Sequence, residues 1–499
     1  MKMKKICFAV SALLLSLSAC NKDDDILVDV PGDETSTSTP VISFPNPENG
    51  YFLRPGETRN FKPDVQNIEN ATYIWKVNGI EKGNQADYNF VSDREGVFYI
   101  DFSAVSSDGK EAALQIKVTV TDKVPVDIVF PKQMFFSESD RIYAAPGEKV
   151  FLNPYIKPGN DLIYSWSVND EEQVGEYGPD FCFVPQKTGT YTVCLSVMQK
   201  GSGGDGQPVL SAQKNIEVVC IDPAENRAPD GGEFQVLEYV PAPGQFINDQ
   251  TSGFNNVSTH DEACRYVEKR MASYDYVSLG SWGGRIVVKT PGSIRNSGSY
   301  DFSIMGNATD TSNEPGIVWV MQDTNGNGIP DEQWFELKGS DYDKPGFLLH
   351  YAITYYRPAP DSSTPWIDIN GVSGYINRLS TYHSQPYYYP AWVKPDSYTL
   401  YGTLLGSKSS QDSNTGMWTN YPFDWGYADN LGSDTVFVEA DGMRRQKNRF
   451  KISDAVCPDG SVANLNHIDF IMVQTGNNNM TGWLGENSTE VCGFFIENR

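Results

Sequence analysis

The chain has 499 residues and a formal net charge of −25, from 39 Lys plus Arg against 64 Asp plus Glu. At roughly 100–200 residues per domain that predicts several domains, and so acidic a chain lacks the clustered cations that a phosphate backbone requires, which argues against nucleic-acid binding. With 44 Gly, 30 Pro and 12% aromatics the composition points to turn-rich β-structure. Four histidines leave little scope for imidazole-based catalysis.

Lys2, Lys4 and Lys5 precede an apolar stretch from Ile6 to Leu17. This reads as a secretory signal over residues 1–19 and is too short to span a bilayer. Its end, Leu17-Ser18-Ala19-Cys20, resembles a bacterial lipobox, which implies lipidation of Cys20. Asn21-Lys22-Asp23-Asp24-Asp25 resembles the acidic surface-export tag of Bacteroidetes lipoproteins and also suits a solvated tether. Residues 20–40, ending in a Ser/Thr run, are expected to form a flexible lipidated stalk. Acyl chains on Cys20 would then be the sole membrane attachment, at the outer surface of an outer membrane. Cys182, Cys194, Cys220, Cys264, Cys457 and Cys492 remain. None stands in a Cys-x-x-Cys arrangement, and Cys182 and Cys194 are placed either to bridge neighbouring strands or to stay as buried thiols.

Two segments repeat at a spacing of 91 residues. Pro55-Gly56-Glu57 precedes Trp75 by 20 residues, and Pro146-Gly147-Glu148 precedes Trp166 by the same distance. Gly-led alternating strands follow, Gly96 to Ile100 and Gly189 to Val193. About 90 residues with period-2 strands and one central Trp describe a β-sandwich, over 41–122 and again over 123–221. Both resemble PKD-type, immunoglobulin-like domains, without the cysteine that precedes the Trp in antibody domains. Trp75 and Trp166 are expected in the cores, and the pair of sandwiches is expected to act as a spacer.

A Pro/Gly/Asn-rich break near 222–232 separates a unit spanning 233–499. Thr259-His260-Asp261-Glu262 is a capping box opening one short helix. Elsewhere alternating strands dominate, so the fold class is all-β: two sandwiches followed by a larger jelly-roll-like, β-rich unit. Asp323-Thr324-Asn325-Gly326-Asn327-Gly328-Ile329-Pro330-Asp331 resembles the front of a calcium loop. Side-chain oxygens come from Asp323, Asn325, Asn327 and Asp331, and a carbonyl from Ile329. The twelfth place is Trp334, so Glu332 or Glu336 would have to substitute, and flanking strands exclude an EF-hand. The same run also suits a hairpin whose Asn-Gly steps supply positive φ.

Between Tyr375 and Tyr427 stand nine Tyr, three Trp and one Phe. Burial accounts for part of this density, but Tyr387, Tyr388, Tyr389, Trp392, Trp418, Tyr421, Trp425 and Tyr427 are candidate ligand contacts, because rigid amphipathic rings stack on flat or sugar-like molecules. Trp282, flanked by Gly283 and Gly284, is a further candidate, and Asn477-Asn478-Asn479 is either a set of amide donors or an ordinary polar loop. No nucleophile elbow, zinc-protease or phosphate-loop motif is present, so the chain reads as a binding protein and not an enzyme.

Several runs resemble one family: Glu238 to Asn248, Val277 to Gly284, Asp323 to Asp331, Trp334 to Ser340 and Tyr387 to Trp392. They are similar to Bacteroidetes surface lipoproteins that accompany outer-membrane cobalamin transporters. The resemblance covers about 233–499 and implies capture of a corrinoid (vitamin B12, as cargo and not as a catalytic cofactor), passed to a TonB-dependent transporter. A glycan-binding surface lipoprotein is the alternative that the aromatic content alone also fits.

Overall fold

The computed structural model describes residues 40–497, apart from 69, 158–161, 200–208 and 225–231. The signal, the stalk and Cys20 lie outside the described residues, which form one compact unit from Pro40 onward. No helix among them is long and apolar enough to cross a membrane.

Each repeat is a sandwich of one five-stranded sheet against paired short strands. In the first, the sheet runs Tyr51–Leu53, Glu111–Val120, Gly96–Val105, Thr72–Val77, Ile80–Gly83. In the second it runs Arg141–Ala144, Val209–Cys220, Gly189–Gln199, Leu162–Val168, Glu171–Glu172. The first strand of each sheet pairs parallel with the last-formed strand, and every other pairing is antiparallel. Trp75 and Trp166 are buried as expected, and each indole N–H donates to a backbone carbonyl, Gln85 (2.9 Å) and Gly178 (3.0 Å). The repeated Pro-Gly-Glu is a turn with a physical logic. Proline supplies the first central φ, Gly56 and Gly147 take φ of +80° and +82°, and the Glu carboxylate accepts the N–H of the residue opening the turn. Both are closed by a bond from the Glu N–H to that same residue's carbonyl.

The carboxy-terminal unit is built on a six-stranded antiparallel sheet, ordered Gln235–Val240, Arg285–Arg295, His467–Thr475, Gly316–Met321, Phe335–Leu337, Ala455–Val456. Alternation sends Ile286, Val288, Ile471, Val473, Val318, Val320 and Phe335 into the main core. The opposite face carries Arg285, Gln474, Met472, Trp319 and Glu336 in cross-strand register. Two four-stranded sheets complete the unit, one holding Phe302–Gly306 and Met443–Phe450, the other Leu348–Tyr356 and Ser397–Leu404. The helix His260–Met271 packs on Gln235–Val240. Its capping box forms: Thr259 Oγ accepts the Glu262 N–H, and the Glu262 carboxylate accepts the N–H groups of Thr259 and Ser258. Those bonds hold its pKa down at about 2.

The expectation of a simple spacer is corrected by the packing. Both sandwiches lie against the carboxy-terminal unit. Tyr375 joins the first, its OH donating to Lys62 O (2.8 Å) and accepting from Asp64 N (3.1 Å), while Gln66 donates to Ser363. The second docks through more apolar surface: Phe135 against Tyr398, Phe136 against His260, and Tyr155 against Tyr401 at 4.6 Å. All six cysteines are free, with Cys182 exposed and the others buried. Cys182 sits opposite Phe151 in a short pair, whereas Cys194 sits opposite Ser167 in the five-stranded sheet, so no bridge joins them.

Candidate functional site

The seam between the second sandwich and the carboxy-terminal unit contains a cleft of about 200 Å³, continuous through shared residues with a second of about 300 Å³. The sandwich contributes Phe130, Phe151, Asn153 and Tyr155. The carboxy-terminal unit contributes Trp319, Gln333, Trp334, Tyr342, Tyr401 and the polar face of its large sheet. That face is available because a strand buried on both sides must send alternate residues away from the core. Arg285, at the head of the row, is neutralised by Glu238 on the adjacent strand (Nη2 to Oε2, 3.0 Å; Nε to Oε2, 3.2 Å). The other Glu238 oxygen accepts the Phe136 N–H of the sandwich, so the buried ion pair also ties the seam. Glu336 accepts from Thr403 Oγ1 (2.6 Å), and burial pushes its pKa up to about 7.

Three residues of the cleft lining each hold a polar atom that is buried without a partner among the described residues: Asn153 Oδ1, Trp319 Nε1 and Gln333 Nε2. A buried polar group left unpaired costs roughly 1–3 kcal/mol, so such groups mark places where a ligand's own donors and acceptors are rewarded. Aromatic walls with two donors and one acceptor, and Glu336 as the carboxylate of the first cleft, equip the seam for recognition of a flat or amide-bearing edge.

The aromatic residues singled out from sequence go elsewhere, and most are corrected. Trp282, Tyr388, Tyr389, Trp392 and Tyr427 are all core residues, each 2% exposed or less. Trp282 donates to Thr403 O and meets Tyr351 edge-on, and Trp392 donates to Tyr239 O and stacks on its ring. The OH of Tyr389 donates to Pro395 O, while those of Tyr388 and Tyr427 accept the Leu379 and Asp341 N–H groups. Consecutive aromatics can be buried on both faces here because each hydroxyl finds a nearby backbone group. The glycines after Trp282 serve chain packing instead of ligand approach: a Cβ on Gly284 would lie 1.8 Å from Leu279 O. Tyr387 is half-buried, with its carbonyl bound by Asn248. Trp418 is half-buried beside Gly482, Tyr421 is 53% exposed, and Trp425 lines a separate cleft of about 210 Å³ with Tyr300 and Arg449. These three are on the surface but outside the seam. Asn477 is buried, and Asn479 donates to Ser409, so that run braces the Ser409–Asn420 hairpin.

The Asp323 to Asp331 run is the connection of a hairpin, since Trp319 and Val320 pair with Glu336 and Phe335. Gly326 and Gly328 take φ of +70° and +74°, as the turn reading requires. Asn325 donates to one oxygen of Asp331 (2.8 Å), and Asn327 donates to the other (2.9 Å). Glu332 turns into the loop and burial pushes its pKa up to about 9; Glu336, held by Thr403, does not take part. A second acidic group, Glu314, Asp429 and Glu490, brings three carboxylates within 4.8 Å in the interior. Burial raises all three, Glu314 to about 8 and Asp429 to about 7, and like charge adds to the rise at Glu314 and Glu490.

Sequence reasoning missed Asn153, Tyr155, Trp319, Gln333 and Tyr401 as site residues. A signal existed in the strands Gly316–Met321 and His467–Thr475, whose large residues on both faces announce that a second layer covers them.

Comparison with known proteins bears on the amino-terminal half. Residues 39–106 match the family model of a PKD-like domain and 136–205 that of a PKD domain. No curated protein matches the chain. Among solved structures, the chain is similar to the fibronectin(III)-like modules of Clostridium thermocellum CbhA, at 12% identity over 36% of this chain and 93% of that one, with a TM-score of 0.19. A titin fragment matches at 15% identity over 36% and 100% of the two chains, TM-score 0.17. The three amino-terminal domains of the bacteriophage RB49 outer capsid protein Hoc match at 14% identity over 62% and 83%, TM-score 0.17. The chain is thus mostly β, with two PKD-type, immunoglobulin-like domains at its amino-terminal end.

Proposed function

We propose that this protein is a lipid-anchored cell-surface binding protein that captures a corrinoid at the seam between its second sandwich and its carboxy-terminal unit, and passes it to a TonB-dependent outer-membrane transporter. The observation that carries the reading is the set of three buried, unpaired polar atoms between aromatic walls. A corrin ring offers apolar faces for Tyr155, Tyr401 and Trp334 and a fringe of amides for Trp319, Gln333 and Asn153. A corrinoid is bulkier than either cleft, so it enters edge-first across both and leaves the rest of the molecule accessible for transfer. The family resemblance of the carboxy-terminal runs supports the choice of ligand.

Size-exclusion of residues 40–499 with cyanocobalamin, recording protein and visible absorbance together, tests this. Red absorbance travelling with the protein, and lost on Trp319→Phe combined with Gln333→Glu, is the expected result. Gln333→Glu keeps the oxygen that accepts from Phe151 N and turns the amide donor into a carboxyl oxygen. Absence of colour in the protein peak at micromolar concentrations would exclude tight capture.

Glycan binding has its own observation. Trp483 is 42% exposed, its neighbour Gly482 lies against Trp418, and Tyr421, 53% exposed, follows the strand Trp418–Asn420. Such an open surface suits sugar faces. Retardation in a polysaccharide gel, lost in Trp418→Ala and Trp483→Ala but kept in the seam variants, would favour it.

A further inference from the structure

Five side chains of the 323–332 connection turn inward on one another. Asp323 is 7% exposed and Glu332 only 2%. Each spends one carboxylate oxygen on a loop N–H: Asp323 Oδ2 accepts from Gly328 (2.9 Å), and Glu332 Oε1 accepts from Asn325 (3.0 Å). The remaining oxygens, Asp323 Oδ1 and Glu332 Oε2, are buried and have no partner among the described residues. Asp331 completes a trio of carboxylates, with the Asn325 and Asn327 side chains between them. Lys289 brings its ammonium up beside Gly328. Oxygen-only donors in a flexible loop, from carboxylates, side-chain amides and a carbonyl, are the chemistry of calcium; magnesium prefers to keep its waters.

The loop is also where the two bodies meet. Asp331 O accepts the Tyr143 N–H of the second sandwich (3.0 Å), and Thr324 O accepts the Ala224 N–H of the connecting segment (2.8 Å). The residues that follow continue the contact, Gln333 Oε1 accepting from Phe151 N (2.8 Å) and Trp334 Nε1 donating to Gln133 O (3.0 Å). On the sandwich side Glu148 adds its negative charge toward Glu332. Without a cation two buried carboxyl oxygens of the loop lack a partner at the seam, and with one the same oxygens become a fixed point.

We propose that Asp323, Asn325, Asn327, Asp331 and Glu332, with the Ile329 carbonyl, bind one Ca²⁺, and that the ion locks the second sandwich onto the carboxy-terminal unit. The proposal is independent of the corrinoid reading, because its readouts need no organic ligand.

The test uses chelator-treated protein spanning 40–499, titrated with CaCl₂ by calorimetry, with MgCl₂ as a control and hydrogen exchange read at each end point. The expected result is one Ca²⁺ per chain, bound at least tenfold more tightly than Mg²⁺. Exchange at the Tyr143 and Phe151 amides should slow at least tenfold on binding. Asp323→Asn and Glu332→Gln should each weaken binding at least tenfold, and at low calcium exchange like the metal-free parent; circular dichroism establishes that they fold. No binding at millimolar calcium overturns the proposal, and needs only the unaltered chain. Unchanged affinity in both variants overturns it too, locating the ion elsewhere, such as at Glu314, Asp429 and Glu490. Binding without a change at Tyr143 and Phe151 overturns the lock.

Discussion

The two sandwiches share a strand order, a buried Trp and a Pro-Gly-Glu turn, yet only the second walls the seam clefts. Part of the difference lies in one connection. Between Phe44-Pro45 and Pro55 the first repeat has nine residues, 46–54; between Phe130-Pro131 and Pro146 the second has fourteen, 132–145. The longer connection carries Gln133, Phe135 and Phe136, which reach Trp334, Tyr398 and His260 of the carboxy-terminal unit. The first sandwich meets its neighbour mainly through hydrogen bonds around Tyr375. A repeated fold therefore settles the core of each copy and leaves its role to the connections.

Deleting Lys132–Phe136 should break the comparison most severely, by shortening the second connection to the length of the first. The expected outcome is two separated thermal transitions by calorimetry in place of one. Glu238→Leu should come next, leaving the Arg285 guanidinium buried and unpaired. A loss of about 3–5 kcal/mol in denaturant unfolding is expected from the usual cost of breaking such a pair. Trp75→Ala and Trp166→Ala sharpen the likeness instead: each should cost about 3–5 kcal/mol, and by similar amounts, because both rings fill equivalent core positions.

A smaller effect separates the carboxy-terminal unit from both sandwiches. Glu314 and Asp429 have folded pKa values raised to about 8 and about 7, so the native state holds protons that the unfolded chain releases near the ordinary carboxylate range. Their contribution is fully present below an unfolded pKa of about 4.5 and is lost as pH rises through the folded values. Glu314→Gln, which cannot ionise, should accordingly gain stability relative to the unaltered protein between pH 5 and about 8, as urea unfolding at a series of pH values will show. Least of all, Tyr375→Phe should cost about 1 kcal/mol, read from the same unfolding curves, since it removes hydrogen bonds and no apolar surface.

Much of the fold was legible. The 91-residue repeat, the paired tryptophans and the capping box at Thr259 rest on local rules, and local rules survive in the structure. The site was legible only in part. Tyr387 to Trp392 drew attention by density, but hydroxyl and indole groups find backbone partners at short range and the run becomes core. Trp319 and Tyr155 looked like ordinary strand residues, because what makes them a site is a contact between segments more than 150 residues apart in sequence. Phe135 and Phe136 could have been noticed: two adjacent apolar rings in an insertion absent from the sister repeat have no core of their own to fill.

The central claim is that the seam between the second sandwich and the carboxy-terminal unit captures a corrinoid. Calorimetric titration of cyanocobalamin into residues 40–499, beside the same titration into Trp319→Phe with Gln333→Glu, addresses it most directly. The account predicts one site per chain, weakened at least tenfold in the double variant and unaltered in Trp418→Ala. Equal affinity in the double variant, or no heat of binding to the unaltered protein, would contradict it.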